Sequence, residues 1–205
     1  MVCGFMHTLA LTDRGNIWSF GNGGSGRLGT GNTDHVYEPK MIDFGDDASD
    51  LTFEQVACGD HHCIAVTSTG EMYSWGCNSH GQLGQGDDMD MKAPRSASLV
   101  CLNQGNGRAV AVVAASNNFS ALITNQNELY TFGCGDFGCL GHGDTEHQLA
   151  PKMVKKLAGR RVTDVVTGDF HVTAIIDDEH GHSYMWSWGA NDCGQLGLGD
   201  FTVGP

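Results

Sequence analysis

The residues of this chain able to do chemistry fall at spacings that raise two questions, a phosphate cradle and a metal centre. Gly21-Asn22-Gly23-Gly24-Ser25-Gly26 and Gly133-Cys134-Gly135-Asp136-Phe137-Gly138 both carry the glycine spacing of a dinucleotide fingerprint. That spacing holds a pyrophosphate only where it opens a helix, whose free N–H groups face the phosphates. No helical periodicity follows either stretch, and the matching slots Asn78 and Asn191 lack the middle glycine. The glycines are therefore read as turn residues, and no cofactor is expected. Eight cysteines and ten histidines raise the metal question. No C-x-x-C pair is present, and Cys134 and Cys139 are too widely spaced for a zinc knuckle, so no metal ligand set is expected from local spacing.

His7, His62 and His171 stand at one recurring position, three residues after a glycine. A catalytic base needs a nucleophile or an acid at a fixed offset, and none recurs with them. They are expected to make framework hydrogen bonds between strand and turn, a role that a phenylalanine at the same position, Phe119, shows to be dispensable. Asp60-His61-His62-Cys63 spells the signature of protein palmitoyltransferases, but those enzymes span membranes. This sequence has no apolar run of about 18 residues, so no membrane span is expected. No catalytic residue is assigned.

What positions these residues is a repeat. Trp18-Ser19-Phe20-Gly21, Tyr73-Ser74-Trp75-Gly76, Tyr130-Thr131-Phe132-Gly133 and Trp186-Ser187-Trp188-Gly189 end on glycines 55, 57 and 56 residues apart. Each is followed, at the same two offsets, by a second glycine pair: Gly26 and Gly29, Gly81 and Gly84, Gly138 and Gly141, Gly194 and Gly197. Upstream lies a Gly-x-x-His element, degenerate in the third copy, and downstream a proline at Pro39, Pro94 and Pro151. Most cysteines occupy repeat positions that other copies fill with Ser, Thr, Ala or Gln, so they are read as small interchangeable side chains. Short apolar strands such as Val110–Ala115, glycine turns and aromatic strands with rings two apart predict four β-strands per unit, the last following the proline. An all-β propeller of about four blades is the expected fold.

The order Gly-x-x-His, turn glycine, Tyr-Ser-Trp-Gly, Gly-Gln-Leu-Gly-x-Gly, proline resembles the repeat of the regulator of chromosome condensation (RCC1-like) family. The resemblance implies a seven-bladed ring, of which residues 1–205 supply part, with repeat cores at 3–39, 58–94, 115–151 and 167–205. The remaining blades are expected from the same longer chain, because half a ring leaves open sheet edges.

Within each Gly-x-x-His loop two residues differ from copy to copy while the frame stays constant: Phe5-Met6, Asp60-His61, Asn117-Asn118 and Asp169-Phe170. Exposed apolar residues beside acids are expected to form a partner-binding surface on the ring face. A four-residue insertion carrying Asp177-Asp178-Glu179 lengthens the fourth unit. The formal charge of −13, from 11 Lys and Arg against 24 Asp and Glu, argues against nucleic-acid binding. The start, Met1-Val2-Cys3-Gly4, lacks the pattern of a signal peptide, so a cytoplasmic or nuclear setting with free thiols is expected. The resemblance implies a non-catalytic interaction platform within a larger regulatory protein. Its alternative is a guanine nucleotide exchange factor for a Ran-type small GTPase, though the first three units hold no inserted wedge hairpin. A sensor like the plant ultraviolet-B photoreceptor is disfavoured, because the loops lack Trp and Arg and all four tryptophans lie in the aromatic strands.

Overall fold

The structure, a computed structural model, describes residues 1–45, 51–97 and 110–201. Four antiparallel sheets follow one another along the chain, each a simple up-and-down meander. The first contains β1 (Val2–Cys3), β2 (His7–Leu11), β3 (Ile17–Gly21) and β4 (Val36–Met41). The second contains β5 (Phe53–Cys58), β6 (His62–Thr67), β7 (Met72–Gly76) and β8 (Met91–Ser96), and the third β9 (Val110–Ala115), β10 (Phe119–Thr124), β11 (Leu129–Gly133) and β12 (Gln148–Met153). In the fourth, β13 (Arg161–Thr167), β14 (His171–Asp177) and β15 (Ser183–Gly189) are described. These are the blades of a β-propeller, as the repeat predicts.

The cores lie between blades rather than within them. Along a strand successive side chains point to opposite faces, so each inner strand serves two seams. On β6, Cys63 and Ala65 pack with Leu9, Ile17 and Trp75 between the first and second blades. Ile64 and Val66, on the other face of the same strand, join Leu122, Tyr130 and Phe132 between the second and third. Phe119, Ala121 and Ile123 meet Val162, Val172 and Ile176 at the next seam. The paired rings share a face as expected, since Tyr73 and Trp75 enter one core. Trp186, nearer the outer end of its strand, stays 37% exposed beneath the Arg160 guanidinium. The residue between the rings points the other way. Ser19, Ser74, Thr131 and Ser187 each donate a hydrogen bond of 2.6–2.8 Å to the carbonyl of Leu28, Leu83, Leu140 or Leu196 in the same blade.

One element departs from the sequence expectation. The outer strand does not follow the proline but contains it: Pro39, Pro94 and Pro151 sit inside β4, β8 and β12. The outer strand is the edge of each sheet, and proline's missing N–H is tolerated where no further strand needs a donor. Its register against the inner neighbour also slips by a bulge in all three blades.

The fingerprint glycines serve packing. Each tract forms at most a single 3-10 turn, as at Gly24–Gly26 and Asp136–Gly138, not a helix able to receive a phosphate. A side chain at Gly26 would stand 2.4 Å from the Lys92 backbone of the next blade, at a φ of +77°. Close approach to the neighbouring blade, rather than to a ligand, explains the glycine.

Candidate partner-binding face

The eight loop residues singled out by the repeat all lie in the hairpins joining the first and second strands of their sheets. Those hairpins occupy one end of each blade. His7 pairs with Gly21, His62 with Gly76, Phe119 with Gly133 and His171 with Gly189, so the glycine-rich tract after the third strand emerges beside the same hairpin.

The backbone of these hairpins is fixed by a bond repeated in every blade. The carbonyls of Met6, His61, Asn118 and Phe170 accept from the N–H of Asn22, Cys77, Cys134 and Ala190 at 2.8–2.9 Å. The preceding glycines make that approach possible: a Cβ at Gly21, Gly76, Gly133 or Gly189 would lie 2.4–2.6 Å from the accepting oxygen, at φ between +105° and +113°. The main chain is thus constrained while the side chains are free to vary.

Phe5 and Met6 are 63% and 53% exposed, Asp169 is exposed, and Asp60, His61, Asn117, Asn118 and Phe170 are half-buried. Adjacent blades bring some of them into contact. The Phe5 ring stands edge-on to His61 with centroids 6.1 Å apart. Burial lowers the pKa of His61, and the nearby Arg27 guanidinium adds to the effect. Arg27 donates to the Gly24 carbonyl and, across the seam, to that of Asp60 at 3.4 Å.

Phe137, which the repeat did not single out, belongs to the same face. Its ring packs edge-on against Phe170 of the next blade with centroids 5.1 Å apart, yet it remains 51% exposed. Phe137 also has φ of +58°, in the left-handed region that a bulky residue rarely occupies. Phe137, Asp169, Phe170 and Asp192 line a shallow cleft with His171 and Gln195. The signal for Phe137 was an aromatic at a position where the other copies hold Ser25, His80 and Cys193.

Two of the recurring histidines, His7 and His62, point elsewhere. His62 Nε2 lies 2.8 Å from Ser120 Oγ, whose hydroxyl donates to the Gln82 carbonyl at 2.8 Å, so Nε2 carries the proton. His7 Nε2 meets Cys63 Sγ at 3.0 Å, and that thiol donates to the Arg27 carbonyl. His7 and His62 thus stitch blade to blade rather than strand to turn. Where Phe119 replaces the histidine, the facing residue of the next blade is Val172, so the polar pair has become an apolar one. Burial drives the pKa of His62 down to about 3. Beside the first pair, burial pushes the pKa of the Cys63 thiol well up.

The insertion in the fourth blade extends the hairpin between β14 and β15. Its Asp178 accepts from the backbone N–H groups of His180 and His182 and from the Tyr184 hydroxyl, which lowers its pKa. This is a self-contained turn. Among the described residues, no helix is long and apolar enough to cross a membrane.

Comparison with known proteins agrees with this architecture. The family model described as RCC1-like domain matches residues 1–203. The chain is 37% identical over 203 residues to the E3 ubiquitin-protein ligase HERC2 of Homo sapiens, covering 97% of this chain and 4% of that protein. It is 36% identical over 201 residues to the ultraviolet-B receptor UVR8 of Arabidopsis thaliana, covering 98% of this chain and 43% of the receptor. The crystal structure of human WBSCR16 superposes with a TM-score of 0.81 at 26% identity, over 98% of this chain and 50% of that one. With four blades, their repeated seam contacts and a family match over nearly its whole length, the chain belongs to the RCC1-like domain family.

Proposed function

We propose that this chain is a protein-binding platform and that its contact surface is the loop face carrying Phe5, Met6, Asp60, His61, Asn117, Asn118, Asp169 and Phe170, together with Phe137. The observation that supports it best is the half-exposed contact of Phe137 with Phe170 across the seam between the third and fourth blades. The left-handed φ of Phe137 is shared by Ser25 at the equivalent position of the first blade, so it belongs to the turn of the repeat, and what is particular to the third blade is the aromatic side chain placed there. That turn presents a half-exposed aromatic ring to solvent beside Phe170, with Asp169 and Asp192 around it. Aromatic anchors flanked by polar residues are the usual centre of a protein interface. Acids on this face, within a chain of charge −13, favour a basic partner segment. The similarity to a small part of a ubiquitin ligase fits a recognition module carried by a larger protein.

The test is affinity capture followed by titration of the captured partner. Phe137→Asn keeps a residue that tolerates positive φ, so the melting temperature is expected to move by only a few degrees. Partner affinity is expected to fall at least about tenfold, the effect of losing a hot-spot side chain. Phe5→Ala, Asp60→Ala, Asp169→Ala and Phe170→Ala should weaken binding in the same way. Undiminished binding by all five variants would refute the assignment.

A further inference from the structure

His7 of the first blade and Cys58 and Cys63 of the second meet at the seam between those blades. The sulfurs of Cys58 and Cys63 are 3.7 Å apart, His7 Nε2 is 3.0 Å from Cys63 Sγ, and all three donor atoms lie within 4.8 Å of one another. His7 and Cys63 are buried, and Cys58 lies partly open beside them. Bonds of about 2.3 Å to sulfur and 2.0 Å to nitrogen place two thiolates roughly 3.8 Å apart and a thiolate and an imidazole roughly 3.5 Å apart. The sulfurs already have that spacing, and His7 needs to withdraw by about half an ångström.

The other seams show that this set exceeds what the fold requires. Between the second and third blades, His62 and Ser120 make the stitch and Ala115 stands where Cys58 does. Between the third and fourth, Phe119 and Val172 face each other and Thr167 takes that place. A second thiol is therefore no part of the stitch. A rival cluster, His80, Cys134 and His147, is less suited. His147 Nδ1 accepts the Gly135 N–H, which leaves the proton on Nε2. His7 is not so committed: its Nδ1 is buried without a partner and is able to take the proton when Nε2 becomes a ligand.

We propose that His7, Cys58 and Cys63 bind one thiophilic closed-shell metal ion, Cu⁺ or Zn²⁺, that ties the first blade to the second. Two thiolates and an imidazole are soft donors that select these ions over Mg²⁺ or Ca²⁺. Three ligands complete a trigonal Cu⁺ site, whereas Zn²⁺ takes water as a fourth. Binding releases the two thiol protons to solvent and moves the His7 proton from Nε2 to Nδ1. The Arg27 carbonyl, losing the Cys63 donor, keeps the Trp75 indole N–H at 3.0 Å. The set escaped local spacing rules because His7 is 51 and 56 residues from the two cysteines.

The experiment titrates the reduced full chain anaerobically with Cu⁺, and separately with Zn²⁺, each against a chromophoric chelator. One ion per chain is expected for at least one of the two, with a thiolate-to-metal charge-transfer band and a melting temperature that rises with free metal. Cys58→Ala and Cys63→Ser install residue types found at the equivalent positions, so both should fold. Each should lose at least about 100-fold in affinity, together with the band. His80→Ala should bind as the unaltered chain does. If the unaltered chain binds neither ion more tightly than these two cysteine variants, or if His80→Ala abolishes binding, the proposal is overturned.

Discussion

The buried His62 has a fixed direction of donation, since Ser120 spends its one proton on the Gln82 carbonyl and accepts from the ring. Removing only the acceptor leaves an N–H without a partner in a dry seam. Ser120→Ala is therefore expected to destabilise the fold by about 1–3 kcal/mol. The third seam suggests the rescue. His62→Phe with Ser120→Val copies Phe119 and Val172, and should recover most of the loss because neither partner is then left unsatisfied. Acidity tests the same contact. With its pKa depressed to about 3 by burial, against about 6.5 when unfolded, His62 stabilises the fold fully above pH 6.5. That contribution drains away as pH falls from 6.5 toward 3, because only the unfolded chain takes up the proton. Urea melts across this range should show stability falling, and His62→Phe/Ser120→Val should flatten the slope; equal slopes would refute the assignment. The sequence showed that the histidine position recurs but not what it touches, since Ser120 is 58 residues away in the next repeat. Phe137 was hidden for another reason: it stands in a tract whose glycines draw attention to turns, and the one aromatic among its four copies gains its meaning from the Phe170 contact.

At the scale of elements, the hairpins and the glycine-ended aromatic strands form one device. The third strand ends on a glycine because its next atoms pass against the carbonyl of the variable loop residue. Gly133 has φ of +105°, and a Cβ there would lie 2.6 Å from the Asn118 oxygen. Gly133→Ala is thus expected to cost about 3 kcal/mol or more, combining unfavourable backbone with a clash against main chain that cannot move aside. Gly143→Ala, also at positive φ but with no atom within 4 Å, should cost about 1 kcal/mol, the backbone part alone. Chemical denaturation of the two variants measures the difference, and equal losses would show that the close approach carries no energy. The elements were largely legible because the period and its glycine punctuation survive four copies. The outer strand was misplaced, since a proline reads as a boundary wherever the chain is considered without its sheet; β12 runs through Pro151 because it lies at an edge.

At the scale of the molecule, the cores are seams between neighbours, and a blade owns only half of each core that stabilises it. Arrays of this kind behave nearly as one-dimensional systems, in which each unit senses its immediate neighbours. Propeller architecture was legible in the sequence, but the seams were not, because their polar contacts join residues 33 to 58 positions apart that no local pattern relates. Trp75 donates to the Arg27 carbonyl across the first seam, and Trp188 donates to the Cys139 carbonyl across the third. Trp75→Phe and Trp188→Phe each remove one such bond and should each cost about 1–2 kcal/mol. The two seams share no side chain, so the double variant should lose the sum to within about 0.5 kcal/mol. A different result is expected inside one seam. Trp75 and Cys63 donate to the same Arg27 carbonyl, so either alone keeps it satisfied. Trp75→Phe combined with Cys63→Ala should therefore exceed the sum of the singles, as the oxygen loses both donors. Double-mutant cycles by denaturant unfolding measure both couplings. Strong coupling between the distant seams, or none within the shared one, would mean that stability is not distributed seam by seam along the blades.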